Sequence, residues 1–148
     1  MKELEIINKA LENLAKNVQI TGDWKGNAPK DLDGEIDFLI NNQHCKLYVE
    51  VKKELRNHQL QQIHSLALKH KNHFILVAEK IFPKIKEELR QNEIPYLEAN
   101  GNIWLKQGKT FLWIDTNKDF ITEKEKINRA FTKTGLKVIF HFLLNDDN

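Results

Sequence analysis

At 148 residues, with 41% hydrophobic and 30% charged side chains, the chain has the size and composition of one soluble globular domain. A net charge of +2 does not by itself mark a polyanion-binding protein, and a single cysteine, Cys45, excludes an intramolecular disulfide and favours a cytoplasmic setting. No apolar stretch approaches the roughly 18 residues of a membrane span, and the acidic start Met1 to Glu5 is unlike a signal peptide.

Leu4, Ile7, Leu11 and Leu14 alternate three- and four-residue spacings, which predicts an amphipathic helix over 2–17. Val18 to Trp24 reads as a first strand, closed by Gly26 and Pro29. Two apolar runs follow, 35–41 and 45–52, joined by a polar turn at Asn41-Asn42-Gln43-His44. A second helix is expected near 56–70, with Leu60, Ile63 and Ala67 on one face. Phe74 to Ala78 is the continuous apolar run of a strand covered on both sides.

Pro83 suits a first helical turn, which places a third helix over about 82–92 with Ile85 and Leu89 as its stripe. Ile94 to Glu98 and Asn102 to Lys106 flank Asn100-Gly101, a strong hairpin signal, and Gly108 turns the chain into Thr110 to Asp115. The expected order is αβββαβαβββ, an α/β domain over 1–115. A polar linker over 116–127 and a greasy helical tail over 128–148 follow.

The second and third strands carry charge where a plain buried strand carries none. Asp37 interrupts the first run, and Glu50 and Lys52 straddle Val51 in the second. Burying a charge is costly unless it is paired or holds a metal. Alternation puts Glu50 and Lys52 on one face, and a hairpin would bring Asp37 to that same face. Two converging carboxylates, with the Val51 carbonyl, make an oxygen-rich site suited to Mg²⁺ or Mn²⁺. Such a metal acidifies a bound water and neutralises phosphate charge, and Lys52 would serve that water or the phosphoryl group. The plainer alternative is an ion-paired cluster around Lys52 on an exposed sheet face.

Asp37-x(12)-Glu50-x-Lys52 resembles the PD-(D/E)xK nuclease superfamily, with Gly34-Glu35-Ile36-Asp37-Phe38 and Tyr48-Val49-Glu50-Val51-Lys52 similar to its GEID and VEVK segments. The resemblance covers residues 3 to about 80. It implies a restriction-endonuclease-like fold, a mixed central sheet flanked by helices with a β-meander and a helical C-terminal tail. It also implies DNA as substrate, Asp37, Glu50 and Val51 as metal ligands, and Lys52 as a catalytic residue. A glutamine on the following helix is a further expected member, here Gln59 or, second, Gln62. Related junction-cutting branches add a glutamate from the first helix, for which Glu3, Glu5 and Glu12 are candidates. Cutting both strands of a duplex needs two sites, which points to a homodimer.

Residues 94–105, IPYLEANGNIWL, and 129–137, RAFTKTGLK, are similar to bacterial AbiEi-like type IV antitoxin proteins, in which a nuclease-like segment precedes a winged helix. On that likeness 131–144 begins a winged helix, and the domain serves as a non-catalytic DNA-binding or dimerisation module of a regulator. Elsewhere, His58, His64 and His70 fall about 120° apart on a helix and cannot share a metal. Cys45 is expected to pack as a small hydrophobe, Trp24, Trp104 and Trp113 as core, and Glu98 to be an exposed strand-end acid.

Overall fold

The computed structural model describes residues 2–27, 29, 31–71, 73–115 and the backbone of 138–142. Three helices, α1 (Glu3–Val18), α2 (Asn57–Lys69) and α3 (Pro83–Gln91), accompany eight strands among these residues. The strands are β1 (Thr21–Lys25), β2 (Gly34–Ile40), β3 (Gln43–Leu55), β4 (Phe74–Ile81), β5 (Tyr96–Glu98), β6 (Ile103–Gln107), β7 (Thr110–Ile114) and β8 (Val138–Phe142). They form one mixed sheet in chain order: β3, β4 and β5 run parallel, and every other neighbouring pair is antiparallel.

The sheet is covered on both faces. Ile6, Ile7, Ala10 and Leu14 of α1 pack on Ile36, Phe38, Val49, Val51, Ile75 and Val77. On the other face Ile63 of α2 and Ile85 and Leu89 of α3 pack on Leu76, Ala78 and Tyr96. Double coverage explains the unbroken apolar run that opens β4. The α1 stripe is rotated from the expected one: Leu4 is 56% exposed and Leu11 only half-buried, while Ile6 and Ala10 lie at 0%. No helix among the described residues is long and apolar enough to cross a membrane.

Two turns fix the positions that matter. Asn41 and Asn42 both take left-handed backbone, φ 53° and 63°, which makes a tight two-residue turn between β2 and β3. Asparagine tolerates that conformation at small cost. Ladder pairing begins at Ile40 opposite Gln43 and runs unbroken to Gly34 opposite Val49. The loop at Ala99 to Asn102 is longer than the expected two residues. Asn102 N–H donates to the Asn100 side chain at 3.0 Å, Gly101 takes φ 94°, and the Asn13 amide of α1 donates to the Ala99 carbonyl at 2.8 Å.

The tail departs from expectation. Val138–Phe142 is a strand paired antiparallel with β7, Ile114 facing Val138 and Thr110 facing Phe142. A β-branched and aromatic run, broken only by His141, satisfies a strand as readily as a helix, and the open edge of β7 decides for the strand. The rest of the expected helical tail and the linker at 116–127 lie outside the described residues.

Candidate functional site

Counting outward from the Asn41–Asn42 turn decides which acids meet. Asp37 stands opposite Lys46, four residues short of Glu50 along β3. At about 3.3 Å per residue that leaves Asp37 roughly 13 Å from Glu50, too far for the two to share a small cation. Asp37 is instead engaged by His44, whose Nδ1 lies 3.1 Å from Oδ1. The expectation that Asp37 and Glu50 flank one metal is therefore corrected. The two acids share a face, but the register keeps them apart.

The acid opposite Glu50 is Asp33, one residue before β2 begins. Its backbone N–H donates to the Val49 carbonyl at 2.9 Å, and its Oδ2 accepts from the Val51 N–H at 2.8 Å. The Asp33 and Glu50 carboxyl groups are within hydrogen-bonding reach of each other. Gly34 permits this entry: a Cβ there would strike the Trp24 ring and meet the Lys25 carbonyl at 2.6 Å. Behind it, Asp31 accepts from Lys69 Nζ at 3.0 Å and faces His70 Nε2 at 3.2 Å, so the end of α2 clamps the loop that carries Asp33.

Val51 supplies a third oxygen. Successive strand residues aim their backbone groups to alternate sides. The Asp33 bond to Val49 and the Tyr48 N–H bond to the His73 carbonyl set the phase: Val49 and Val51 face β2, and Glu50 and Lys52 face β4. Since β2 ends opposite Val49, the Val51 carbonyl faces the gap that Asp33 occupies. Among the described residues no three His, Cys, Asp or Glu side chains cluster in metal-binding geometry.

Glu50 is 8% exposed, and Lys52 Nζ lies 3.3 Å from its Oε2. Burial raises the Glu50 pKa above its ordinary value, the Asp33 charge adds to the rise, and Lys52 opposes it. A raised carboxyl contributes stability below its unfolded pKa that is lost as pH rises through the folded one. Burial and the neighbouring Asp33 thus work against the ionised form of Glu50, a cost that a bound cation would relieve. Glu50→Gln should raise the melting temperature in EDTA by a few degrees near pH 8. The same substitution should remove the further rise that Mn²⁺ gives the wild type, which thermal melts with and without metal will read.

Two clefts meet at Lys52 and Lys53. One, of about 620 Å³, is lined by Lys2, Glu3, Glu5 and Val51 through Lys53, at the start of α1. The other, of about 550 Å³, adds Glu54, Arg56, Gln59, Glu79 and Lys80 at the start of α2. Gln59 therefore shares a cleft with Lys52, as expected, though its Oε1 accepts from the Arg56 N–H at 3.0 Å and caps the helix. Glu3 and Glu5 border the site; Glu12 pairs with Lys9 on the exposed face of α1. Cys45 packs against the core, and burial pushes its thiol pKa up to about 11, with the Asp37 charge assisting, which leaves it inert near neutrality.

Glu98 is not the exposed acid expected of a strand end. At 1% exposure it accepts from Ile81 N–H at 2.8 Å, from Lys86 Nζ at 2.8 Å and from the Asn102 amide at 3.2 Å. Lys86 also reaches Asp115 at 3.2 Å. Glu98 lies two strands from Lys52, across Ala78, and this network fixes the end of β4 beside the cleft.

Asp33, Glu50 and Lys52 thus gather two carboxyl groups and an ammonium where two open clefts meet at Lys52. Comparison with protein-family models, with curated proteins and with solved structures gives no match, so the functional reading rests on this arrangement of residues.

Proposed function

We propose that this protein is a divalent-metal-dependent phosphodiesterase of PD-(D/E)xK type, with a restriction-endonuclease-like fold and DNA as its substrate. The observation that carries the reading is the adjoining Asp33 and Glu50 carboxyl groups, with Lys52 on Glu50, just before β2 begins and near the start of the parallel pairing of β3 with β4. The element order, a helix, three antiparallel strands, a helix and a parallel strand, supports it.

The residues fit Mg²⁺ or Mn²⁺. Both prefer carboxylate and carbonyl oxygens and keep several waters, and Asp33, Glu50 and the Val51 carbonyl would be the protein ligands. When bound, such an ion acidifies water and offsets phosphate charge. Lys52, with its ammonium beside Glu50, holds the attacking water or a non-bridging phosphate oxygen and meets the negative charge that builds there. Gln59 forms part of the same wall and orients the phosphate from α2. Cutting both strands of a duplex requires two such sites, hence a homodimer for that substrate.

The test is incubation of the purified protein with branched, single-stranded and duplex DNA in Mg²⁺ and, separately, in Mn²⁺. Metal-dependent cutting is expected, and Lys52→Ala should slow it at least about a hundredfold, the scale of losing one charge-stabilising group. Cutting that persists unchanged in Lys52→Ala contradicts the site. DNA binding with no cutting by the wild type in either metal assigns the rival role, a binding or dimerisation module of a regulator.

A further inference from the structure

The cleft between β3, β4 and α2 is unlike the rest of the surface. Lys52, Lys53, Arg56 and Lys80 line it against Glu54 and Glu79, an excess of positive charge, with Arg56 and Glu54 paired to each other at 2.9 Å. Lys80, on the cleft wall, reaches to Phe82, two residues further along the chain. This ring is 40% exposed although it begins α3 next to a well-filled core, and Lys80 Nζ lies 5.5 Å from its centroid. Its neighbours Ile81 and Ile85 are 2% and 5% exposed, so apolar side chains at this corner otherwise go inward.

We infer that this cleft takes an unpaired DNA strand, its phosphates following Lys53, Arg56 and Lys80 and one base stacking on Phe82. The inference rests on the phosphodiesterase reading and names the substrate class of that site. A basic groove that tracks the backbone beside an aromatic face is the arrangement single-strand binders use, because every base has a face to stack. In a paired helix the bases are already stacked on one another, so Phe82 would find no partner. A strand lying along the cleft brings a phosphate to Lys52, which lines both clefts and sits 3.3 Å from Glu50. Asn57, the first residue of α2, adds a helix N-terminus next to Arg56, which favours an anion there.

The experiment is a fluorescence-anisotropy titration of a labelled oligothymidylate and of a labelled hairpin duplex, in EDTA so that nothing is cut. Wild type should bind the single strand more tightly than the duplex. Phe82→Ala and Phe82→Leu should each weaken strand binding roughly five- to a hundredfold, and leave duplex binding unchanged. Phe82→Trp should keep strand binding at wild-type strength, which separates stacking from a defect of folding. Equal affinity of wild type for strand and duplex, or Phe82→Leu matching wild type on the strand, overturns the inference. Asp33→Asn, assayed in parallel with Mn²⁺, separates the two readings. Phe82-dependent strand binding by a protein that never cuts removes the nuclease and keeps the groove. Metal-dependent cutting that ignores Phe82 does the reverse.

Discussion

Asp33→Asn should abolish Mn²⁺-dependent cutting, by about a hundredfold or more, while Asp37→Asn should leave it within a few-fold of wild type. The contrast follows from the hairpin register. Asp33, just past the last ladder pair of Gly34 with Val49, adjoins Glu50 and bonds the Val51 N–H at 2.8 Å, so an asparagine there keeps the place and shape of the side chain but removes a carboxylate from the proposed metal pair. Asp37 faces Lys46 and His44 on the same side of the sheet, roughly 13 Å along from Glu50. Rates measured at saturating Mn²⁺ and a fixed DNA concentration decide between the two acids. Equal losses in both variants would mean that the register does not govern the site. A loss confined to Asp37→Asn would return the metal to the acid that the sequence spacing favours.

Glu98→Ala should cost about 3–5 kcal/mol of folding free energy, the largest effect expected outside the apolar core. The substitution removes the main counter-ion of Lys86, whose side chain is only 9% exposed, and strips the Ile81 N–H of its acceptor. Burial alone would pull the Lys86 pKa down; Glu98 and Asp115 together overcome that and raise it. A raised lysine contributes stability below its unfolded pKa that is lost as pH rises through the folded one, so the loss in Glu98→Ala should be seen in full at neutral pH. Lys86→Met paired with Glu98→Gln should cost less than the two single losses added, because the charge and its partner leave together. Urea denaturation of the wild type, Glu98→Ala, Lys86→Met, Glu98→Gln and the double variant measures all of this. Additive losses, or a loss below about 1 kcal/mol in Glu98→Ala, would show that the pair contributes little beyond surface ion pairing.

Much of this molecule is readable from local pattern. The helix of Ile7 and Leu14, the apolar opening of β4, Pro83 at the head of α3 and the meander after Asn100-Gly101 each follow from spacing and turn chemistry. The pairing of Glu50 with Lys52 follows from strand alternation alone. Asp33 is within reach too. Two adjacent asparagines, both tolerant of left-handed backbone, mark Asn41–Asn42 as the turn, and counting outward puts position 33 opposite Glu50. A looser turn over Asn41 to His44 leaves that register open, and the acid embedded in the apolar run then draws attention from the one at its edge.

Glu98 and Lys86 are a different case. Nothing near either residue signals burial, and Lys86 neighbours the exposed Lys84 and Glu87 on α3. Their meeting depends on β5 lying parallel to β4 and on α3 folding back across both, which is tertiary information. The strand at Val138–Phe142 is set the same way, by the free edge of β7 rather than by its own periodicity.

The most direct test of the central claim is a crystal soaked in Mn²⁺ and measured at a wavelength where manganese scatters anomalously. One peak is expected within coordination distance, about 2.0–2.3 Å, of an Asp33 oxygen and a Glu50 oxygen, on the side faced by the Val51 carbonyl. A peak bound by Asp37 and His44, with none between Asp33 and Glu50, would contradict it.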